Sequence, residues 1–266
     1  MIEERLAEIL PPPNGNRLIE AMLYALLGPG KRIRPLLVLA TAETFGASKS
    51  LALDPGVAIE MVHAYSLIHD DLPSMDNDDL RRGRPTVHRA FSEAIAILAG
   101  DALLTDAFRV IAESKGLSDH QIVRLIRTLA LRAGSEGMVG GQMIDISCVG
   151  SISQDLLMEM HRKKTGDLLS CSLEFGAIIA KASPAQEEIL RQIGHHLGLA
   201  YQIRDDLEDV QQMADEGKPT AVTVFGLKKA RELLEQSLAA IITGLDRLPG
   251  RALPISNIIT SLFKAG

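Results

Sequence analysis

Residues 63–86 read HAYSLIHDDLPSMDNDDLRRGRPT, and any fold for this chain must dispose of the five carboxylates in that stretch. The run before them, IEMVHAYSLIH, repeats apolar residues at spacings of three and four without Gly or Pro. That is the pattern of a buried helix, which here delivers Asp70 and Asp71 at its end. Pro73 removes a backbone donor and disfavours helical geometry in the residue before it, so the chain leaves the helix near Leu72. A loop then brings Asp76 back, and three acids can face one point. Acids so crowded repel one another unless divalent cations neutralise them, and an oxygen-only donor set favours Mg²⁺ over zinc. Arg81 and Arg82 suit a ligand that is polyanionic and metal-bound, a phosphate ester or diphosphate. Taken alone, the stretch reads also as a solvated acidic loop.

A second acidic group weighs against the solvated loop. In GLAYQIRDDLEDV, Asp205 and Asp209 are four residues apart and Asp206 and Asp209 three apart, so a helix places the carboxylates along one stripe. Like charges at that spacing cost an isolated helix about a few tenths of a kcal/mol per pair, and here they interrupt an apolar segment. Two such groups, far apart in sequence, read as the two walls of one metal-filled cleft.

Basic residues supply the complement. GPGKRIRP sets Lys31, Arg32 and Arg34 at a helix start, with glycines that let an anion approach, although such a loop is equally an ordinary surface. His63 lies about two helical turns before Asp70 on nearly the same side, where a core histidine is the plainer reading. GGQMIDI carries Gln142 and Asp145, and HRKKTGDL carries His161, Arg162, Lys163, Lys164 and Thr165. In an apolar helix, Lys164 and Thr165 followed by Gly166 can leave a cation and a freed carbonyl facing a cavity; a surface turn is the alternative.

The 266 residues, 46% hydrophobic and 23% charged, suit one globular domain over 1–266 with a sizeable core. Helical periodicity covers 16–27, 35–45, 50–71, 89–114, 119–134, 154–182, 184–212 and 227–244, and a short helix ends the tail. No strand pair or Asn-Gly hairpin is evident. A net charge of −6 and 3% aromatic content, without a long basic stripe, argue against nucleic acid as a partner. The start, MIEERLAEILPPP, is unlike a secretory signal or transit peptide, and no stretch reaches the ~18 apolar residues of a membrane span. Cys148 and Cys171 lack metal or redox spacing and read as free buried thiols of a cytoplasmic protein.

GKRIRP, the 63–86 stretch, GGQ with Asp145, HRKKTG and YQIRDDLED follow one another in an order that resembles the trans-isoprenyl diphosphate synthases, the polyprenyl synthetase family. The likeness runs over about residues 20–245 and is strongest to the bacterial short-chain branch, whose product is farnesyl diphosphate. It implies an all-α, single-domain bundle of roughly ten or more helices around a central cavity, the isoprenoid synthase type. It also implies a homodimeric, Mg²⁺-dependent enzyme that joins isopentenyl diphosphate head to tail to an allylic diphosphate, dimethylallyl or geranyl.

On matching positions, Asp70, Asp71 and Asp76 resemble the family's first aspartate-rich motif and Asp205, Asp206 and Asp209 the second. Together these motifs hold about three Mg²⁺ ions, or Mn²⁺, on the allylic diphosphate. Lys31, Arg34, His63 and Arg82 match positions that hold isopentenyl diphosphate; Arg81, Lys164 and Lys218 match those that hold the allylic diphosphate. Lys164, Thr165 and Gln202 match positions near the reacting carbon. Tyr65 and Ser66 precede Asp70 where the growing tail arrives, Tyr65 about 7 Å along the helix, and an aromatic there goes with a farnesyl product. No nucleophilic side chain is needed, in line with the absence of a Ser/His/Asp or Cys/His arrangement. The segment from Asp209 to Lys218 is shorter than the family's loop, and the ending FKAG lacks its usual basic residues. Other readings are a geranylgeranyl-forming synthase, a class I terpene cyclase, and a regulatory homologue without turnover. GKRIRP and the second acidic group speak against the cyclase.

Overall fold

Asn16, Ser48, Ser92, Ser118 and Ser153 each stand before an apolar-periodic run, and each accepts a backbone N–H from the first turn of the helix that follows. The computed structural model describes residues 1–148, 152–211 and 219–263, with the side chains of 209–211 outside that description. Its first half holds α1 (Ile2–Glu8), α2 (Arg17–Leu26), α3 (Ile33–Thr44) and α4 (Lys49–Asp70). A hairpin of β1 (Leu80–Arg81) and β2 (Arg84–Pro85) leads into α5 (Val87–Ala90), α6 (Glu93–Ala112), α7 (Asp119–Ala133) and α8 (Met138–Ser147). Then come α9 (Gln154–His161), a π-helical turn (Arg162–Gly166), α10 (Asp167–Ile179), α11 (Pro184–Gln211), α12 (Ala221–Phe225), α13 (Leu227–Asp246) and α14 (Leu253–Phe263).

Burial decides the arrangement. Every residue of α10 except Glu174 is buried, so α10 must be surrounded, and it packs on α3, α4, α7 and α11. One apolar cluster fills the space between α2, α4, α6, α7 and one side of α10, through Ile59, Met61, Leu103, Leu125 and Phe175. A second joins the other side of α10 to α3, α11, α13 and α14, through Leu37, Leu173, Leu197 and Ile255. Helices α3 and α10 thus divide their sides between two cores, and α4 runs through the first of them to deliver Asp70 at its end.

Four features depart from the sequence expectations. By length and composition α4 could cross a membrane; 67% of its apolar window is buried inside the protein, as in a core helix. The hairpin, short as it is, lies outside the sequence expectation, because its turn is Arg-Gly rather than Asn-Gly. Arg82 and Gly83 both take positive φ, 55° and 76°, as a primed two-residue turn requires. The expected helix 154–182 is broken by the π turn, and α8, whose first turn holds a Gly-Gly pair that reads as a breaker, lies outside the expected helices. One cause accounts for both. A Cβ on Gly141 would lie 2.3 Å from the backbone nitrogen of Lys164, and a Cβ on Gly198 would lie 2.3 Å from the Cα of Gly166. Glycine lets α8 and α11 close on the π turn from both sides.

Candidate active site

The end of α4 behaves as Pro73 demands: the backbone N–H of Asp76 returns to the carbonyl of Asp70 at 2.9 Å. Asp70 and Asp76 then line a cavity of about 680 Å³, and Asp205, Gln202 and Tyr201 of α11 line it too. Lys31 and Arg34, on either side of the start of α3, line it as well, with His63 of α4, Arg81 and Arg82 of the hairpin, and Lys164 and Thr165 of the π turn. Residues from six separate stretches of the sequence therefore share one space.

The remaining acids are placed differently. Asp71 is 3% exposed and faces a small space of about 60 Å³ under the hairpin, where it accepts from Arg81 Nε at 2.9 Å. Asp78 accepts from Arg81 at 2.9 Å and Asp79 from Arg89 at 2.5 Å, so both brace the hairpin. Asp206 is 5% exposed; its Oδ2 accepts the Ala221 N–H at 2.6 Å and its Oδ1 accepts from Gln202 at 3.2 Å. Adjacent helical residues point about 100° apart, which is why Asp205 reaches the cavity while Asp206 braces the start of α12. The side chain of Asp209, and Lys218 altogether, lie outside the described residues.

Charge is unevenly distributed around the cavity. Burial, reinforced by Asp76 and Asp71, lifts the Asp70 carboxyl to about 6, against the opposing pull of Lys164 and Arg81. Burial likewise raises Asp205, opposed by Arg204 at 3.0 Å. Across from them, burial and then Arg34, Arg82, Arg32 and Arg81 hold His63 far below the usual histidine range, so it stands neutral at pH 7. The Nε of Arg34 is sealed from solvent without a hydrogen-bond partner. An anion among these cations would relieve both conditions. Arg32, by contrast, is committed to structure. From a left-handed backbone at φ 49° it binds Glu60 at 3.0 Å, Glu3 at 2.7 Å and the carbonyls of Leu26 and Gly28, fixing the loop that presents Lys31 and Arg34.

On the π turn, Lys164 Nζ lies 2.5 Å from Asp145, and the Thr165 hydroxyl donates to Gln202 Oε1 at 3.3 Å. Gly198→Ala should force this turn aside. We expect a loss of about 1–3 kcal/mol in stability from overpacking and a fall in turnover larger than that loss explains. Thermal unfolding and steady-state rates on the same sample check it.

A second cavity of about 340 Å³ shares Arg34, His63, Leu67, Asp70, Lys164 and Thr165 with the first. Beyond them its lining turns apolar: Tyr65 and Met75 on one side, Met138, Val139, Met143 and Ile146 of α8 on the other. Ser66 lines it too, its hydroxyl returned to the His63 carbonyl at 3.0 Å. The sequence signal for the α8 wall, absent from the expectations above, is the helical spacing of Val139, Met143 and Ile146 on both sides of the glycine pair.

Metal fit follows from the donor chemistry. Among the described residues no three His, Cys, Asp or Glu side chains gather into a ready cage. Mg²⁺ does not need one, since it binds through one or two carboxylates, waters and substrate phosphates. Asp70, Asp76 and Asp205, oxygen donors facing one space beside buried cations, fit that mode.

An all-α bundle with carboxylates and cations at the mouth of an apolar pocket defines the isoprenoid-synthase class of protein. The polyprenyl synthetase family profile matches residues 16–243. A farnesyl diphosphate synthase of Geobacillus stearothermophilus is 50% identical over 210 residues, 76% of this chain and 70% of that protein. One from Micrococcus luteus is 43% identical over 263 residues, covering 94% and 89%. The crystal structure of an FPP/GFPP synthase from Zymomonas mobilis superposes with a TM-score of 0.92 at 42% identity, covering 98% of this chain and 94% of that one. The chain belongs to the polyprenyl synthetase family.

Proposed function

We propose that this enzyme condenses isopentenyl diphosphate with dimethylallyl or geranyl diphosphate, head to tail, and releases farnesyl diphosphate. The observation that carries the reading is the single cavity that Asp70, Asp76, Asp205, Lys31 and Arg34 share, opening onto an apolar pocket flanked by Tyr65.

In this reading Asp70, Asp76 and Asp205, with Asp71, Asp206 and Asp209 of the same two clusters, hold Mg²⁺ and the allylic diphosphate. Mg²⁺ there supplies positive charge against the oxygens of the departing diphosphate. Arg81, Lys164 and Lys218 steady the same group, so charge developing on it meets cations already in place. Lys31, Arg34, Arg82 and neutral His63 hold isopentenyl diphosphate with its double bond toward the allylic carbon. Thr165 and Gln202, hydrogen-bonded to each other, present oxygen lone pairs toward that carbon as it becomes cationic. The double bond attacks, a proton leaves to the freed diphosphate, and the chain is longer by one isoprene unit. The apolar pocket keeps water from the cation. The reading includes a homodimer, supported by the exposed Ile97 and Leu98 on α6.

Incubation with Mg²⁺, labelled isopentenyl diphosphate and each allylic primer should yield farnesyl diphosphate. Chelation by EDTA should abolish turnover and added Mg²⁺ restore it. A cyclised hydrocarbon, or no elongation with any primer, would overturn the proposal.

A further inference from the structure

The π turn presents Lys164 and Thr165 to both cavities, yet a turn with one residue too many does not hold itself. Relaxing to α geometry would shift the register by one residue and so rotate its side chains by about 100° against the helix beyond. The glycine contacts limit how far α8 and α11 stand off, but they do not fix the rotation. Directly after the turn, at the first residue of α10, sits Asp167, 1% exposed and outside both cavities. Its Oδ1 accepts from Arg132 of α7 at 3.1 Å and lies 3.1 Å from His195 Nε2 of α11; its Oδ2 lies 3.6 Å from Arg162 within the turn itself. Arg132 is held in turn by Glu174 at 2.8 Å, two helical turns further along α10. The carboxylate thus ties the turn to two neighbouring helices at the one point where their register meets.

We infer that Asp167 is a positioning residue: through Arg132 and His195 it fixes the rotation of the π turn and hence where Lys164 and Thr165 stand against the allylic substrate. The inference rests on the proposed function, and it separates Asp167 from an ordinary buried ion pair by its side of the cavity. A displaced π turn would disturb the allylic half, while Lys31, Arg34 and His63, on α4 and around the start of α3, stay in place.

The test compares wild type with Asp167→Asn, which keeps shape and loses charge, and with His195→Gln. Both KM values and kcat are measured, with calorimetric binding of a non-reactive allylic diphosphate analogue as a readout besides turnover. Wild type should elongate; failure there overturns the proposed function rather than this inference. Asp167→Asn should lose about ten- to a hundredfold in kcat/KM for the allylic substrate, bind the analogue more weakly, and keep the isopentenyl diphosphate KM within about twofold. His195→Gln should lose less, with the same asymmetry. Unchanged turnover in Asp167→Asn, or losses that fall equally on both substrates, would overturn the inference. If Asp167→Asn does not fold, unchanged or symmetric kinetics in His195→Gln overturn it equally.

Discussion

Asp70→Asn is expected to lower kcat about a thousandfold while leaving the protein at least as stable as wild type. The activity argument is electrostatic. Asp70 lines both cavities, so it alone among the described acids stands where the diphosphate mouth meets the apolar pocket. Asparagine keeps the shape and one acceptor oxygen but removes the charge that a divalent cation requires. The stability argument runs the other way. Folding raises the Asp70 carboxyl to about 6, chiefly by burial, so the ionised form at neutral pH is a net cost to the fold. That cost fades as the pH falls through about 6, and a neutral side chain removes it at every pH. A melting temperature equal to or above that of wild type, with turnover lost, therefore distinguishes a functional carboxylate from a structural one. A kcat loss below about tenfold at saturating Mg²⁺ would remove Asp70 from the metal-binding set. Asp71→Asn should lower kcat as well, since Asp71 belongs to the same proposed metal-holding set, but with a smaller gain in melting temperature, because relief of its burial is offset by the lost hydrogen bond from Arg81.

Tyr65→Ala should change the product from farnesyl to geranylgeranyl diphosphate. Burying one more isoprene unit gains roughly 4 kcal/mol at ~0.8 kcal/mol per carbon, so elongation ends only where a wall stands. Tyr65 is 6% exposed, its hydroxyl is pushed up to about 12 by burial, and its ring meets His69 edge-on with centroids 5.8 Å apart. It lines the apolar pocket opposite Met143 and Ile146, and truncation opens the α4 side. Because the ring already borders a cavity, the expected stability loss is modest, roughly 1–3 kcal/mol. Chromatography of the dephosphorylated products decides the matter. Farnesol as the sole product of the variant would place the wall elsewhere, with α8 the next candidate.

How much of this was legible beforehand depends on how local each cause is. The periodic runs, the serine and asparagine caps and the stop at Pro73 act within a few residues, and each was readable as a string. The hairpin escaped because Arg82 adopts a left-handed backbone that its side chain does not advertise. Helix α8 escaped because its glycines look like breakers until another backbone is known to press on them.

The sequence by itself determined the chemistry available to this protein: two oxygen-rich acidic groups, a basic loop and a Lys-Thr-Gly break in an apolar helix, together with the family they resemble. Which of those groups share a space was decided only by tertiary packing. Asp205 lines the cavity while Asp206 also holds the start of α12; Lys31, Arg32 and Arg34 all line it, but the charge of Arg32 is taken up by Glu3 and Glu60. Helical spacing fixes the angle between neighbouring side chains, but the direction of the pair in space is set by which face of the helix the rest of the protein buries.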